Sequence, residues 1–404
     1  MLEVLFTLIK IYLLLVPFGQ LLRIPTYLPE VVVHLADVVV LIVALFSIPL
    51  WLKQRASPFK SPLAFPVLLF ASVSLISLLV GAVLVTWSQF LVGAVYWARW
   101  IAYANLYFLV SFLVSQSSGD QYRQQLLQTL KFSGFTLAVF GFIQYLIFPN
   151  LNLIHTQGWD VHLYRLTGPI FDPGFTGLLL LFTLILIFCN SKDIKLKSWN
   201  FLFALIVYVA LVLTYSWVTY LALIATAVGY LIVRRSFKTA FVFLSIFLVT
   251  ALLIPRPPGE GGNLARTSTV NYRFTNWQQS LRVAQDHPIL GVGFDLYRYA
   301  QTRYGFLTSV EADNSHSAAG VDNSFLFILA TTGIIGLFIF IWLWFSILKF
   351  HFPLTTLSSS LSLTSFLTVV AALVHNQFHN TLFYPSIMAW IWIILGLSHG
   401  TRNT

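Results

Sequence analysis

The sequence predicts an all-α fold: a polytopic bundle of about twelve membrane-spanning helices with one large extracytoplasmic loop. Three observations lead there: the scarcity of charge, a succession of long apolar segments, and a one-sided distribution of basic residues between them. Of 404 residues, 58% are hydrophobic and only 9% charged, against about 25% charged in a soluble globular chain. So few charges cannot coat a soluble protein of this size, which excludes a cytosolic enzyme, a nucleic-acid-binding domain and a disordered chain. The mean hydropathy of +0.83 and the 37 Phe, 17 Tyr and 12 Trp agree.

A spanning helix needs about 20 mostly apolar residues. Segments that meet this run over residues 2–22, 31–52, 63–86, 94–116, 131–149, 170–190, 199–215, 217–233, 237–255, 322–348, 361–383 and 386–399, with a tight hairpin near 214–220. With both termini in the cytoplasm, the inner loops carry Lys53, Arg55, Lys60, Arg123, Lys131, Lys192, Lys195, Lys197, Arg234, Arg235, Lys238, Lys349 and Arg402. The short outer loops carry only Arg23 and Arg165. Cytoplasmic loops are enriched in Lys and Arg, so the asymmetry sets the orientation and explains the formal net charge of +10 without nucleic acid. The organisation is therefore nine helices in 1–255, an extracytoplasmic loop 256–321 and three helices in 322–404. The single cysteine, Cys189, excludes a disulfide framework and a Cys-based metal site. The N-terminus lacks a basic region and cleavage site, so the first apolar stretch reads as a retained helix.

A long loop is usually functional. This one opens with Pro255-Arg256-Pro257-Pro258-Gly259 and continues into an amphipathic helical segment, 270–286, with Phe274, Trp277, Leu281 and Ala284 along one face. It holds Arg273, Arg282 and His316, and leads into Asp322-Asn323-Ser324. The other polar outer loop, 150–169, holds His155, Asp160, His162 and Arg165. Arginines converging at the outer membrane surface suit a lipid-linked diphosphate, because the guanidinium binds phosphate in bidentate fashion and stays charged; solvated loop arginines are the plain alternative. Arg273 and Trp277, at i and i+4, are placed for a cation–π pair. The run His287-Pro288-Ile289-Leu290-Gly291-Val292-Gly293 reads either as a backbone cradle for an anion or as a connector. Within the apolar segments, Asp37 and Arg99 suggest a structural ion pair, with His34 beside Asp37. His375 and His379 stand at metal-ligand spacing, but without the third ligand of a zinc site.

In order along the chain, Arg273 and Trp277, His287-Pro288-Ile289-Leu290-Gly291-Val292-Gly293, Asp322-Asn323-Ser324-Phe325-Leu326 and Gly333-Ile334-Ile335-Gly336 resemble the O-antigen ligase and O-antigen polymerase family, with Arg165-Leu166-Thr167-Gly168-Pro169-Ile170-Phe171-Asp172-Pro173 similar to an upstream element. The family-like core is 165–337. The resemblance implies a glycosyltransferase of the bacterial cytoplasmic (inner) membrane in cell-surface polysaccharide or lipopolysaccharide biosynthesis. The donor it implies is a glycan on undecaprenyl diphosphate, and the acceptor a glycan or lipid-linked sugar whose hydroxyl attacks the anomeric carbon. It implies no cofactor, no metal and no nucleotide sugar. Arg165, Arg273, Arg282, Asn323, Gly291 and Gly293 are the substrate-binding candidates. Arg273, Asp322 and His316 are the catalytic ones.

The chain departs from the family pattern in three places. Asp322 stands where the ligases often have His, Thr331 where Glu is common, and Ser216-Trp217 where a Ser-Arg pair is common. The first departure favours a polymerase-like member or passes the role to His316. Asp322 itself reads as a base or as a helix N-cap. A polysaccharide flippase is the rival from another class; transporters usually show repeats and midplane sites, and neither is visible here. A cell-wall-type glycan polymerase and a non-catalytic glycan-binding membrane protein are further readings.

Overall fold

The computed structural model describes residues 1–27, 30–53, 61–152, 162–190, 199–255, 267–308, 320–352 and 359–399. Among them the regular structure is helical apart from a short hairpin, Arg23–Ile24 paired with Val33–His34, and an isolated bridge between Asn150 and Leu163. The helices are α1 (Leu2–Leu15), α2 (Leu35–Lys53), α3 (Ala64–Gly81), α4 (Trp87–Val114), α5 (Gly119–Ile147), α6 (Pro173–Asn190), α7 (Trp199–Leu213), α8 (Trp217–Arg234), α9 (Phe237–Leu253), α10 (Thr267–Asp286), α11 (Tyr297–Arg303), α12 (Ser324–His351), α13 (Ser360–His375) and α14 (Pro385–His399). Eight of these, α1 to α6, α8 and α12, are long and apolar enough to cross a membrane, α1 and α3 by way of the tight turns that continue them. The apolar α7, α9, α13 and α14 have 15–17 residues each, and so rise about 22–26 Å at 1.5 Å per residue.

Apolar residues cover nearly every face of these helices. Their outward sides stay exposed, as Phe241 and Leu253 of α9 and Phe338 of α12 do, which is the pattern of a bundle solvated by hydrocarbon. Inside, α14 packs on α4, α13 on α6 and α8, and α3 on α12. Interhelical polar contacts fix the directions. Glu3 accepts from the Tyr122 hydroxyl at 2.6 Å and Asn190 donates to Thr364 at 2.8 Å at one end. At the other end, Gln144 of α5 meets Thr167 before α6, Arg165 meets the end of α7, and Asn376 after α13 meets the start of α12. The chain thus runs alternately up and down, and the loops holding Arg165, Arg273, Asp322 and His379 gather at one end of the bundle.

Several boundaries differ from the sequence reading. The segment 2–22 is a helix only to Leu15; tight turns follow, with Gly19 at φ +45 because a Cβ there would lie 2.6 Å from the Pro169 carbonyl oxygen. α5 begins at Gly119, twelve residues before the apolar stretch, since its polar first turns are still helical. The segment 361–383 leaves the helix after His375, where Asn376 and Gln377 turn to cap and brace α12.

The expected pair of Asp37 and Arg99 is present. Arg99 Nη2 lies 3.5 Å from Asp37 Oδ2, the Tyr103 hydroxyl donates to Oδ1 at 2.7 Å, and the His34 amide donates to Oδ2 at 2.8 Å. A buried charge held by this many donors is satisfied.

α12 is broken near its middle. Gly333 sits at φ +65, which interrupts the helical hydrogen bonds and frees backbone groups on both sides. The run 287–293 satisfies them. Val292 N–H donates to Ala330 O at 3.1 Å, Gly293 N–H to Thr331 O at 3.0 Å, and Ile334 N–H to Pro288 O at 2.8 Å. The Ser77 hydroxyl of α3 lies within 2.8 Å of Leu290 O and 2.7 Å of Thr331 O. A Cβ on Gly291 would overlap the Thr331 carbonyl, and one on Gly333 the Ile289 carbonyl, so both glycines are required by backbone-to-backbone contact. The connector reading of 287–293 is therefore the right one. The N–H groups of Gly291, Val292 and Gly293 all donate to carbonyls of the chain, which leaves no cradle for an anion.

Candidate active site

α10 carries Arg273 and lies against α12. Its inward face, Arg273, Asn276 and Trp277, meets the turn that starts α12. Arg273 Nε is 3.9 Å from Asp322 Oδ2, so the two residues singled out 49 positions apart face each other. The guanidinium lies over the Trp217 ring, 5.2 Å from its centroid. The expected i, i+4 partner, Trp277, instead donates its indole N–H to the Asp322 carbonyl at 3.3 Å. The π face of Trp217 holds the guanidinium. Burial pulls the Arg273 pKa down, and Asp322 and Asp172 push back; an arginine stays charged all the same.

Asp322 is not the N-cap of α12. That role belongs to Asn323, whose Oδ1 accepts from Phe325 N–H at 2.9 Å and Leu326 N–H at 3.1 Å. Its amide group donates to Gln377, so the Asn323 side chain is fully engaged in structure. The Asp322 carboxylate is left to face Arg273, while its own N–H is held by Asn276 Oδ1 at 2.9 Å.

Arg165 is 6% exposed. Its Nε donates to Thr214 O at 3.0 Å and its Nη2 to Tyr215 O at 3.2 Å, where they satisfy carbonyls at the end of α7 and brace the 214–216 hairpin. Arg282 lies on the outer face of α10, 65% exposed, with Asp286 at 3.7 Å. Nine residues at 100° per residue separate it from Arg273 by half a turn, so it points away from the site. Gly291 and Gly293 belong to the α12 junction. His316 lies outside the described residues, as do His155 and Asp160.

The loop after α13, absent from the sequence-based candidates, closes the site. Phe378 packs between Trp217 and Trp277, with centroids 4.6 Å and 5.9 Å away. Leu382 N–H donates to the Ser324 hydroxyl at 3.2 Å. His375 is wholly buried: Nε2 lies 3.1 Å from Gly174 O and must carry the proton, so Nδ1 accepts from the Thr381 hydroxyl at 2.7 Å. Both its nitrogens are used, which leaves it no metal-ligating role. Buried polar atoms without partners gather here: Arg273 Nη1, Asn376 Nδ2, His379 Nδ1 and Asn380 Oδ1. Buried polar groups are normally hydrogen-bonded, and these four stand on adjoining segments beside the Arg273–Asp322 pair.

Residues 201–341 match the O-antigen ligase family. The match starts in α7 and ends in α12, and so takes in Trp217, Arg273, Asp322 and the Gly333 junction. It bears out the family resemblance. No curated protein matches the chain. Arg165 and the 376–380 loop lie outside the ligase-family segment, yet they pack on it.

Proposed function

We propose that the protein is a membrane glycosyltransferase of the O-antigen ligase or polymerase type. It transfers a glycan from undecaprenyl diphosphate to a sugar hydroxyl on the outer side of the cytoplasmic membrane, without metal. The supporting observation is the Arg273–Asp322 pair inside the ligase-family segment, bordered by unpartnered polar atoms.

In this reading all twelve apolar helices cross the bilayer, both termini are cytoplasmic, and the segment 256–321 lies outside. The basic asymmetry of the loops supports that orientation, and so does the convergence of alternate helix ends at the site. Arg273 meets the diphosphate of the donor. As the bond from the anomeric carbon to the diphosphate oxygen breaks, negative charge grows on that oxygen, and a fixed guanidinium with unpartnered N–H groups stabilises it. Trp217 and Asp322 hold the guanidinium in place beforehand, which is the source of the rate gain. Asp322 orients the acceptor hydroxyl towards the anomeric carbon. Arg165 shapes the wall by fixing the 214–216 hairpin on which Trp217 stands. The flippase reading has no comparable support, because the polar convergence lies at helix ends and not at mid-bundle.

Asp322→Asn keeps the size of the side chain and removes its charge. It is expected to lose at least about tenfold in glycan transfer, measured in native membranes that carry the cell's own lipid-linked glycan. Because Asn323 supplies the helix cap, the variant should fold normally; transfer at the parental rate would remove Asp322 from the mechanism.

A further inference from the structure

The site as described lacks a group to take the proton of the attacking hydroxyl. Asp322 faces an arginine. A histidine from a different part of the chain, His379, stands at the same end of the bundle, within the field of Arg273. His379 follows α13 in the loop that covers Trp217 and Trp277 through its neighbour Phe378. Its ring is held edge-on against Phe175 at 5.4 Å and beside His375 at 4.9 Å. Gly174 makes room for it: a Cβ there would lie 2.7 Å from His379 Nε2 and 3.1 Å from Asp172 Oδ1. Nε2 therefore faces the side on which Asp172 lies, while Nδ1 is closed to solvent and has no hydrogen-bond partner. His375, four residues earlier, has both nitrogens satisfied within the protein. The contrast singles out His379 as the ring with an acceptor to spare.

We propose that His379 is the general base of the transfer, taking the acceptor hydroxyl proton on Nδ1. The assignment rests on the glycan-transfer reading above. The hydroxyl oxygen forms its bond to the anomeric carbon, and the bond from that carbon to the diphosphate breaks with its electron pair going to the diphosphate oxygen. The hydroxyl proton passes to Nδ1, and from there to solvent once the products leave. A hydroxyl nucleophile with a neutral imidazole beside it is the usual arrangement for its activation.

The charged and titratable groups around His379 are Arg273 from α10, Arg165 and His162 from the segment before α6, His375 from α13 and Asp172 at the start of α6. Burial first, then Arg273, hold the His379 pKa well below the ordinary histidine value. In the free enzyme the ring is neutral and so able to accept a proton, but it is a weak base. A diphosphate bound to Arg273 cancels part of that positive field and raises the pKa towards working pH. Donor binding thus strengthens the base.

The test uses the full chain in native membranes with their own lipid-linked glycan. His379→Gln and His379→Asn are expected to lose roughly 10²-fold or more in transfer, as for removal of a general base. The parental rate should fall on the acid side, with the limb of kcat at higher pH than that of kcat/KM, because the first reports the donor complex and the second the free enzyme. Both limbs should vanish in the residual activity of the variants. A variant that transfers at the parental rate, or keeps the acid limb, overturns the assignment of His379 while the glycan-transfer reading stands. Parental membranes that transfer no glycan overturn both. Should neither variant assemble, coincident limbs of kcat and kcat/KM in the parental protein overturn the proposal.

Discussion

Replacing Arg273 by alanine is expected to reduce glycan transfer by about 10²–10³-fold while the protein inserts and folds as before. The residue makes one long ion pair, to Asp322 at 3.9 Å, and stacks on Trp217; Nη1 is buried with no partner at all. Its removal therefore deletes little that holds the bundle together. Arg273→Lys should restore little, because an ammonium offers neither the planar fork for a diphosphate nor a flat face for Trp217. Arg165→Ala contrasts with it. That guanidinium already serves the carbonyls of Thr214 and Tyr215, so its loss should lower thermal stability together with activity. Transfer and thermal midpoint measured on both variants separate the two roles, and full transfer by Arg273→Ala would eliminate the arginine from the reaction.

Gly333→Ala is expected to lower stability by roughly 3 kcal/mol or more. Holding alanine at a φ of +65 costs about 1–3 kcal/mol, and its Cβ would fall within the Ile289 carbonyl. Relief requires the 287–293 run to draw back, which breaks its hydrogen bonds to Ala330, Thr331 and Ile334. Gly305→Ala is the matched control. It has a φ of +68 and nothing within 4 Å of the added Cβ, so it should show only the conformational penalty of about 1–3 kcal/mol, without the added clash. Thermal unfolding of the two variants in detergent compares them directly; equal midpoints would mean that the Gly333 junction is not tightly packed.

Most of the helical architecture was legible because hydrocarbon selects on length and apolarity, which a sequence displays residue by residue. What failed was local. The break at Gly333 looks like ordinary apolar helix, because the backbone that forces it, the Ile289 carbonyl and the Leu290 nitrogen, lies more than forty residues away. Gly291 and Gly293 were rightly suspected of close backbone approach, but the approaching backbone is α12, not a ligand. Arg273 and Asp322 were chosen for charge and position and do meet. Arg282 was chosen for the same reasons and sits half a helical turn away. Asn323 carries the cap that was weighed for Asp322; the two are adjacent, and only the backbone direction decides between them. His379 was read with His375 as two positions on one helical face. The helix ends at His375, and that exit, set by Asn376 and Gln377 bracing α12, carries the second ring into the site.

The central claim is that the Arg273–Asp322 site breaks the bond between a glycan and a lipid diphosphate. It is tested most directly by following both parts of the donor. Purified protein in lipid vesicles is supplied with undecaprenyl-diphosphate-linked glycan extracted from its own membranes, and the glycan and the lipid diphosphate are then separated and sized. The expected result is glycan lengthened or moved to a new acceptor, with free undecaprenyl diphosphate released in equal amount, and about 10²–10³-fold less of both with Arg273→Ala. Glycan that stays on its lipid, unchanged in size and found on the opposite side of the vesicle membrane, would contradict it.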